Sequence, residues 1–184
     1  CRSIGAGLGN LGRGVNARRA TVSPDDSRTQ EGFVRTFYLL DGHAQMFRAY
    51  YAPFRELTTP DGRNVKAAYV FTQLVLNLLA KKPDFLAVAF DVSDATTFRK
   101  AAYEPYKENR DASPEDLGPQ FGMVRTVLDD LRIPVLELEG FEADDVIATI
   151  AEHLPDDVEL RIVSKDKDLH QILSDRVGLY DPKE

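Results

Sequence analysis

Seven acidic residues stand where apolar runs end or helical patterns begin. Asp41 closes Phe37-Tyr38-Leu39-Leu40, and Asp91 closes the run 86–90. Glu142, Asp144 and Asp145 open an apolar-periodic segment, and Asp166 and Asp168 follow Arg161-Ile162-Val163-Ser164-Lys165. Short apolar runs of this kind read as buried parallel strands. In an open α/β sheet, ligands bind in the crevice beyond the carboxyl ends of the strands. Carboxylates gathered there would repel one another unless a cation lay between them, and hard divalent cations such as Mg²⁺ take oxygen donors. The pattern points to metal-dependent chemistry on phosphate.

Each acid alone has a plainer reading. An Asp after a strand is commonly a helix cap or a turn residue, and acids in a first helical turn favour the macrodipole. Yet Glu142 and Asp145, three apart, share a helix face. Asp166 and Asp168 flank Lys167, and on an extended backbone they would point the same way. Recurrence at four separate strand ends is what capping does not explain.

A second informative stretch follows Asp91: Phe98-Arg99-Lys100, Tyr103, Tyr106-Lys107 and Arg110. Cations interleaved with aromatic rings suit nucleic acid, the cations for phosphates and the rings for unpaired bases. The plainer alternative is a solvated loop anchored by its rings. A long irregular segment leaving a catalytic rim is more often a lid or clamp than filler. Lys107 or Arg110 could stabilise charge developing on a phosphoryl group.

Around these residues, periodicity predicts strands at 36–40, 85–90, 135–138, 159–163 and 177–180. It predicts helices at 43–54, 65–81, 115–131, 142–153 and a short one at 167–173, with Ser113 capping the third and Pro114 at its first position. Strand–helix alternation implies an α/β fold with a mostly parallel sheet and helices on both faces. There is no internal repeat.

A chain of 184 residues suits one domain, and 43% hydrophobic residues suit a globular core. No apolar run approaches the roughly 18–20 residues that span a bilayer. The single cysteine, Cys1, excludes an internal disulfide and fits a reducing compartment. A net charge of −7 argues against a generally basic nucleic-acid coat while allowing a local basic patch. Residues 1–34 are rich in glycine and arginine and are expected to form a leader, or sequence upstream of the true start, ahead of a domain at 35–184. An arginine-rich transit segment is the alternative for this stretch. The missing initiator Met suggests a piece of a longer protein.

Five motifs in order, Leu39-Leu40-Asp41-Gly42-His43, Phe90-Asp91, Phe98-Arg99 to Tyr106-Lys107 and Arg110, Gly140-Phe141-Glu142-Ala143-Asp144-Asp145 and Ser164-Lys165-Asp166-Lys167-Asp168-Leu169, resemble the 5′-nuclease domain of bacterial DNA polymerase I. The same module occurs in phage 5′-exonucleases and flap endonucleases. The resemblance runs from about residue 36 to the last residue. It implies a PIN-like α/β fold with a helical arch, and cleavage of DNA at 5′ ends and flaps in replication and repair. It implies that Asp41, Asp91, Glu142, Asp144, Asp145, Asp166 and Asp168 match metal-binding acids for Mg²⁺ or Mn²⁺, two ions in the complete protein. Lys107 and Arg110 match arch residues that engage the scissile phosphate. Arg48, Arg99, Tyr103 and Tyr106 match DNA-contact positions. His43 reads as structural rather than as a general base.

The family continues with a further Asp pair and a helix–hairpin–helix-type element, so the chain is expected to be the N-terminal part of a larger DNA polymerase I, with a polymerase domain downstream, or of a stand-alone 5′-exonuclease. A cytoplasmic, nucleoid-associated monomer without membrane contact is expected too. Two other readings stay open: a DNA-junction binding fragment without turnover, and a PIN-type ribonuclease, which the arch motif disfavours.

Overall fold

The computed structural model describes residues 34–92 and 113–182. Five parallel strands form one sheet: β1 (Arg35–Asp41), β2 (Phe85–Ala89), β3 (Val135–Leu136), β4 (Val158–Val163) and β5 (Val177–Leu179), in the order β3-β2-β1-β4-β5. Among the described residues, four α-helices accompany them: α1 (Gly42–Tyr50), α2 (Lys66–Leu79), α3 (Gly118–Asp130) and α4 (Ala143–Glu152). A short 3-10 helix, Asp168–Ile172, precedes β5.

The period-two alternation of strand side chains divides the core between the two faces. Leu40, Val88 and Val163 pack with Met46 of α1, Phe71, Val75 and Leu78 of α2, and Val124 and Leu128 of α3. Their chain neighbours Leu39, Ala87, Ala89 and Ile162 pack instead with Ile147 of α4 and Leu169 of the 3-10 helix. Leu39 and Leu40 are both fully buried, as the central strand of a doubly covered sheet requires.

From β1 the chain steps outward on one side through β2 to β3, then returns to place β4 on the other side of β1. The strand order therefore reverses between β1 and β4. Helices on opposite faces diverge at such a switch point and leave a crevice at the carboxyl ends of the strands.

Several boundaries differ from the sequence-based expectation. Helix α1 stops at Tyr50 rather than 54. Pro53 disfavours helical geometry at Ala52 and ends the helix early. Helix α3 begins at Gly118, and its first-turn proline is Pro119, not Pro114. Ser113 does not cap it: Leu117, fully buried, takes the cap position. Strand β3 has two residues, because Glu137 turns to Arg125 and Leu138 is half exposed. The short helix at 167–173 is 3-10 rather than α.

Candidate metal centre at the strand ends

Asp41 is both the last residue of β1 and the N-cap of α1. Its Oδ1 accepts the Ala44 N–H at 3.0 Å, satisfying one of the orphan donors of the first turn. Its Oδ2 accepts the Ser164 hydroxyl at 3.0 Å across the switch between β1 and β4. Only 4% of Asp41 is exposed. Burial pushes its carboxyl upward, the two hydrogen bonds oppose that, and the charge on Asp91 adds to it.

Strand and helix meet closely here because the next residue is glycine. A Cβ on Gly42 would lie 2.4 Å from the Phe90 ring and 2.8 Å from the Ala89 carbonyl oxygen. The missing side chain lets α1 start directly over the end of β2.

Asp91 follows β2 and is held at two points. Its N–H donates to His43 Nδ1 at 3.1 Å, and its Oδ1 accepts the Ala143 N–H at 2.6 Å. Asp91 Oδ2 also lies 3.7 Å from His43 Nδ1. Because that nitrogen accepts the backbone N–H, it carries no proton, and this contact is not an ion pair. His43 thus orients Asp91, and Asp91 ties the N-terminus of α4 to the end of β2.

Glu142 is the N-cap of α4, is 5% exposed and forms a capping box with Asp145. In that box the Glu142 N–H donates to Asp145 Oδ2 at 3.1 Å. Asp144 lies between them in sequence and faces the other acids. Burial first, then the charges on Asp41, Asp166, Asp91 and Glu142, push its carboxyl up to about 7. Beyond β4, the Ser164 hydroxyl accepts the Asp166 N–H at 3.1 Å, and Asp166 Oδ1 accepts the Asp168 N–H at 2.9 Å.

Asp91 therefore acts through space on Asp41, and Asp41, Asp91, Glu142 and Asp166 act on Asp144. Asp145 serves the helix start, and Asp168 sits in the first turn of the 3-10 helix. Among the described residues, no three His, Cys, Asp or Glu side chains close around a single point as an ion cage would require. The donor chemistry nevertheless fits a hard divalent cation: the acids offer oxygen atoms only, and a proton retained on Asp144 to about pH 7 marks uncompensated negative charge.

Arg48 lies on α1, three residues after Gln45, whose amide donates to the Val163 carbonyl at 3.0 Å. Arg48 reaches Asp181 just past β5, with Nη2 to Oδ1 at 2.7 Å, and Lys165 pairs with the other oxygen of Asp181. Arg99, Tyr103, Tyr106, Lys107 and Arg110 lie outside the described residues, as does the arch expected there.

Sequence reasoning missed three residues. Ser164 stood inside a quoted motif without a role, and its signal was a hydroxyl at a strand end among acids. Gly42 followed Asp41 where no turn needed a glycine. Asp181 carried no local signal, since its partners Arg48 and Lys165 are distant in sequence.

The chain belongs to the 5′-3′ exonuclease, N-terminal resolvase-like domain family, which it matches over residues 36–184. It is similar to the thermostable DNA polymerase I of Thermus thermophilus, with 40% identity over 146 residues, covering 79% of this chain and 17% of that protein. DNA polymerase I of Rhizobium leguminosarum is 42% identical over 153 residues, covering 78% of this chain and 15% of the relative. DNA polymerase I of Deinococcus radiodurans is 38% identical over 185 residues, covering 96% and 19%. The chain thus spans less than a fifth of the length of these relatives.

Among solved structures, T5 5′-exonuclease with bound divalent zinc ions superposes with a TM-score of 0.56 at 20% identity, over 81% of this chain and 56% of that one. A bacteriophage T5 flap endonuclease in a pseudo-enzyme–product complex with DNA and metal ions superposes with a TM-score of 0.58 at 22% identity, again over 81% and 56%. These likenesses establish the PIN-like nuclease fold, a parallel five-stranded sheet covered by helices.

Proposed function

We propose that this domain hydrolyses DNA phosphodiester bonds at 5′ ends and flaps, within a longer protein of the DNA polymerase I type that acts in replication and repair. The observation that carries the proposal is the convergence of Asp41, Asp91, Glu142, Asp144 and Asp166 at the switch point, where burial first and then the neighbouring carboxylates push Asp144 up to about 7. Such a site is costly for a protein without a cationic ligand. The family supplies the reaction class, and the T5 flap endonuclease that shares the fold is bound to DNA and metal ions.

The five converging acids would hold divalent cations, Mg²⁺ or Mn²⁺, and Asp168 and Asp145 would join as ligands or as supports of the ligands. Two such ions would supply Lewis acidity and charge neutralisation for phosphodiester hydrolysis. The chain's own groups prepare the site. Ser164 holds Asp41 and the backbone of Asp166 together, His43 fixes Asp91, and Asp91 fixes the start of α4. Lys107 and Arg110 would engage the scissile phosphate, with Arg48, Arg99, Tyr103 and Tyr106 contacting the strand. Backbone and end shape, rather than base sequence, would set specificity.

A Mg²⁺-dependent cleavage assay on 5′-labelled flap DNA tests this, with Asp91→Ala as control. Loss of this carboxylate should lower the rate by at least roughly 10–100-fold, as for residues that support a metal site. Normal cleavage by Asp91→Ala would sink the metal-site assignment. Flap binding with no cleavage under any divalent ion would replace the nuclease with a junction-binding module.

A further inference from the structure

Resting on that nuclease reading, we propose that Lys165 and Arg48 form a paired phosphate contact beside the carboxylate rim, held in position by Asp181. Asp181 accepts from Arg48 through Oδ1 at 2.7 Å and pairs with Lys165 through Oδ2. One carboxylate thus joins three elements, α1, the turn after β4 and the segment after β5. Its side chain is only 13% exposed, whereas that of Lys165 is 59% exposed and that of Arg48 24%. The buried partner orients, and the cations keep donors facing water.

Position makes this pair relevant to a nucleic-acid strand. Lys165 stands between Ser164, which bonds Asp41, and Asp166, whose charge acts on Asp144. Arg48 shares a helix face with Gln45, which is fastened to the end of β4. Both cations therefore sit at the same strand ends as the acids. A lysine ammonium with one carboxylate partner retains donors for a phosphate oxygen, and an arginine bonded through one Nη keeps its Nε and other Nη. A phosphodiester next to the scissile one, on DNA crossing the rim, is the ligand chemistry that matches. Asp181 lowers the net positive charge of the pair while fixing where it points. Its deletion therefore separates positioning from bulk electrostatics.

Equilibrium binding of the full chain to fluorescent flap DNA, measured over a salt series, tests the pairing. Lys165→Gln should weaken binding about threefold for every flap sequence and reduce the slope of log K against log salt by about one. Asp181→Asn adds one positive charge, which alone would tighten binding and steepen that slope. Positioning instead requires weaker binding, a shallower slope, an unchanged kcat at saturating DNA and a raised KM. In Lys165→Gln/Asp181→Asn the two losses should be less than additive, because both act through one contact.

Lys165 is exposed, so Lys165→Gln folds normally, and thermal unfolding checks this. Unaltered binding by Lys165→Gln, or equal or tighter binding by Asp181→Asn, would overturn the proposal while a flap-cleaving wild type leaves the nuclease reading intact. A wild-type chain that neither binds nor cleaves flap DNA would overturn both.

Discussion

The two ends of the sheet treat acidic residues in opposite ways. At the amino ends, Asp157 accepts from Arg35 Nη2 at 2.8 Å, and that hydrogen bond holds its carboxyl below the ordinary range. Asp84 accepts the Thr36 N–H at 2.8 Å, joining the turn before β2 to β1. At the carboxyl ends, Asp41 and Asp144 are both pushed upward, burial being the largest cause and neighbouring carboxylates adding to it. At one end Asp84 and Asp157 each meet a donor on β1, and the other end masses acids within reach of one another. A fold selected for stability alone would resemble the first end throughout. The second end gathers buried carboxylates whose charge a proton on Asp144 or a cationic ligand would relieve, which makes it the candidate working end.

The contrast can be broken most forcefully through Gly42, which brings α1 onto the carboxyl end. Gly42→Ala drives a methyl into the Phe90 ring and the Ala89 carbonyl. It should destabilise the protein by about 3 kcal/mol, the upper part of the overpacking range, read from urea unfolding. A midpoint unchanged from wild type would show that α1 does not need this close approach.

Ser164→Ala removes the hydroxyl that links Asp41 to the Asp166 N–H. The loss should cost about 2 kcal/mol, as for buried hydrogen bonds to charged groups. It should also weaken divalent-ion affinity by roughly 10–100-fold, as for other supports of metal ligands. Isothermal titration with Mn²⁺ reads the second effect without any cleavage assay.

Asp144 offers a gentler test by pH. The unfolded chain releases this proton near the ordinary value of 3.8, whereas the folded chain keeps it to about 7. The folded state therefore binds more protons between those values, and metal-free stability falls as pH rises from about 4 to about 7. After allowance for solvent screening the loss is on the order of 1 kcal/mol. Asp144→Asn should flatten the profile, and an identical slope in both proteins would remove the repulsion from the account.

Asp157→Asn, at the amino end, has the smallest expected effect. This exposed pair with Arg35 should leave flap cleavage and metal affinity at wild-type values. A change in either would erase the distinction between the two ends.

Much of this was legible in the chain, and what was not has a common cause. The five strands and their accompanying helices follow from apolar runs and period, which are local properties. The early stop of α1 was readable too, from Pro53. The acids announced themselves because strand end and carboxylate are adjacent in sequence. Their partners did not. Ser164 reaches Asp41 across 123 positions, and Asp181 reaches Arg48 across 133. Loop closure over such distances leaves no periodic trace.

The sequence by itself determined the α/β alternation, the acids at the strand ends and the resemblance that the family match confirms. Only the tertiary structure decided that β4 lies beside β1, which places the switch point between Asp41 and Ser164. Only it decided which acids act on Asp144 and that Asp145 closes a capping box with Glu142. Strand tendency is written in a few neighbouring side chains, whereas charge density at a point depends on which distant strand ends the packed core brings together.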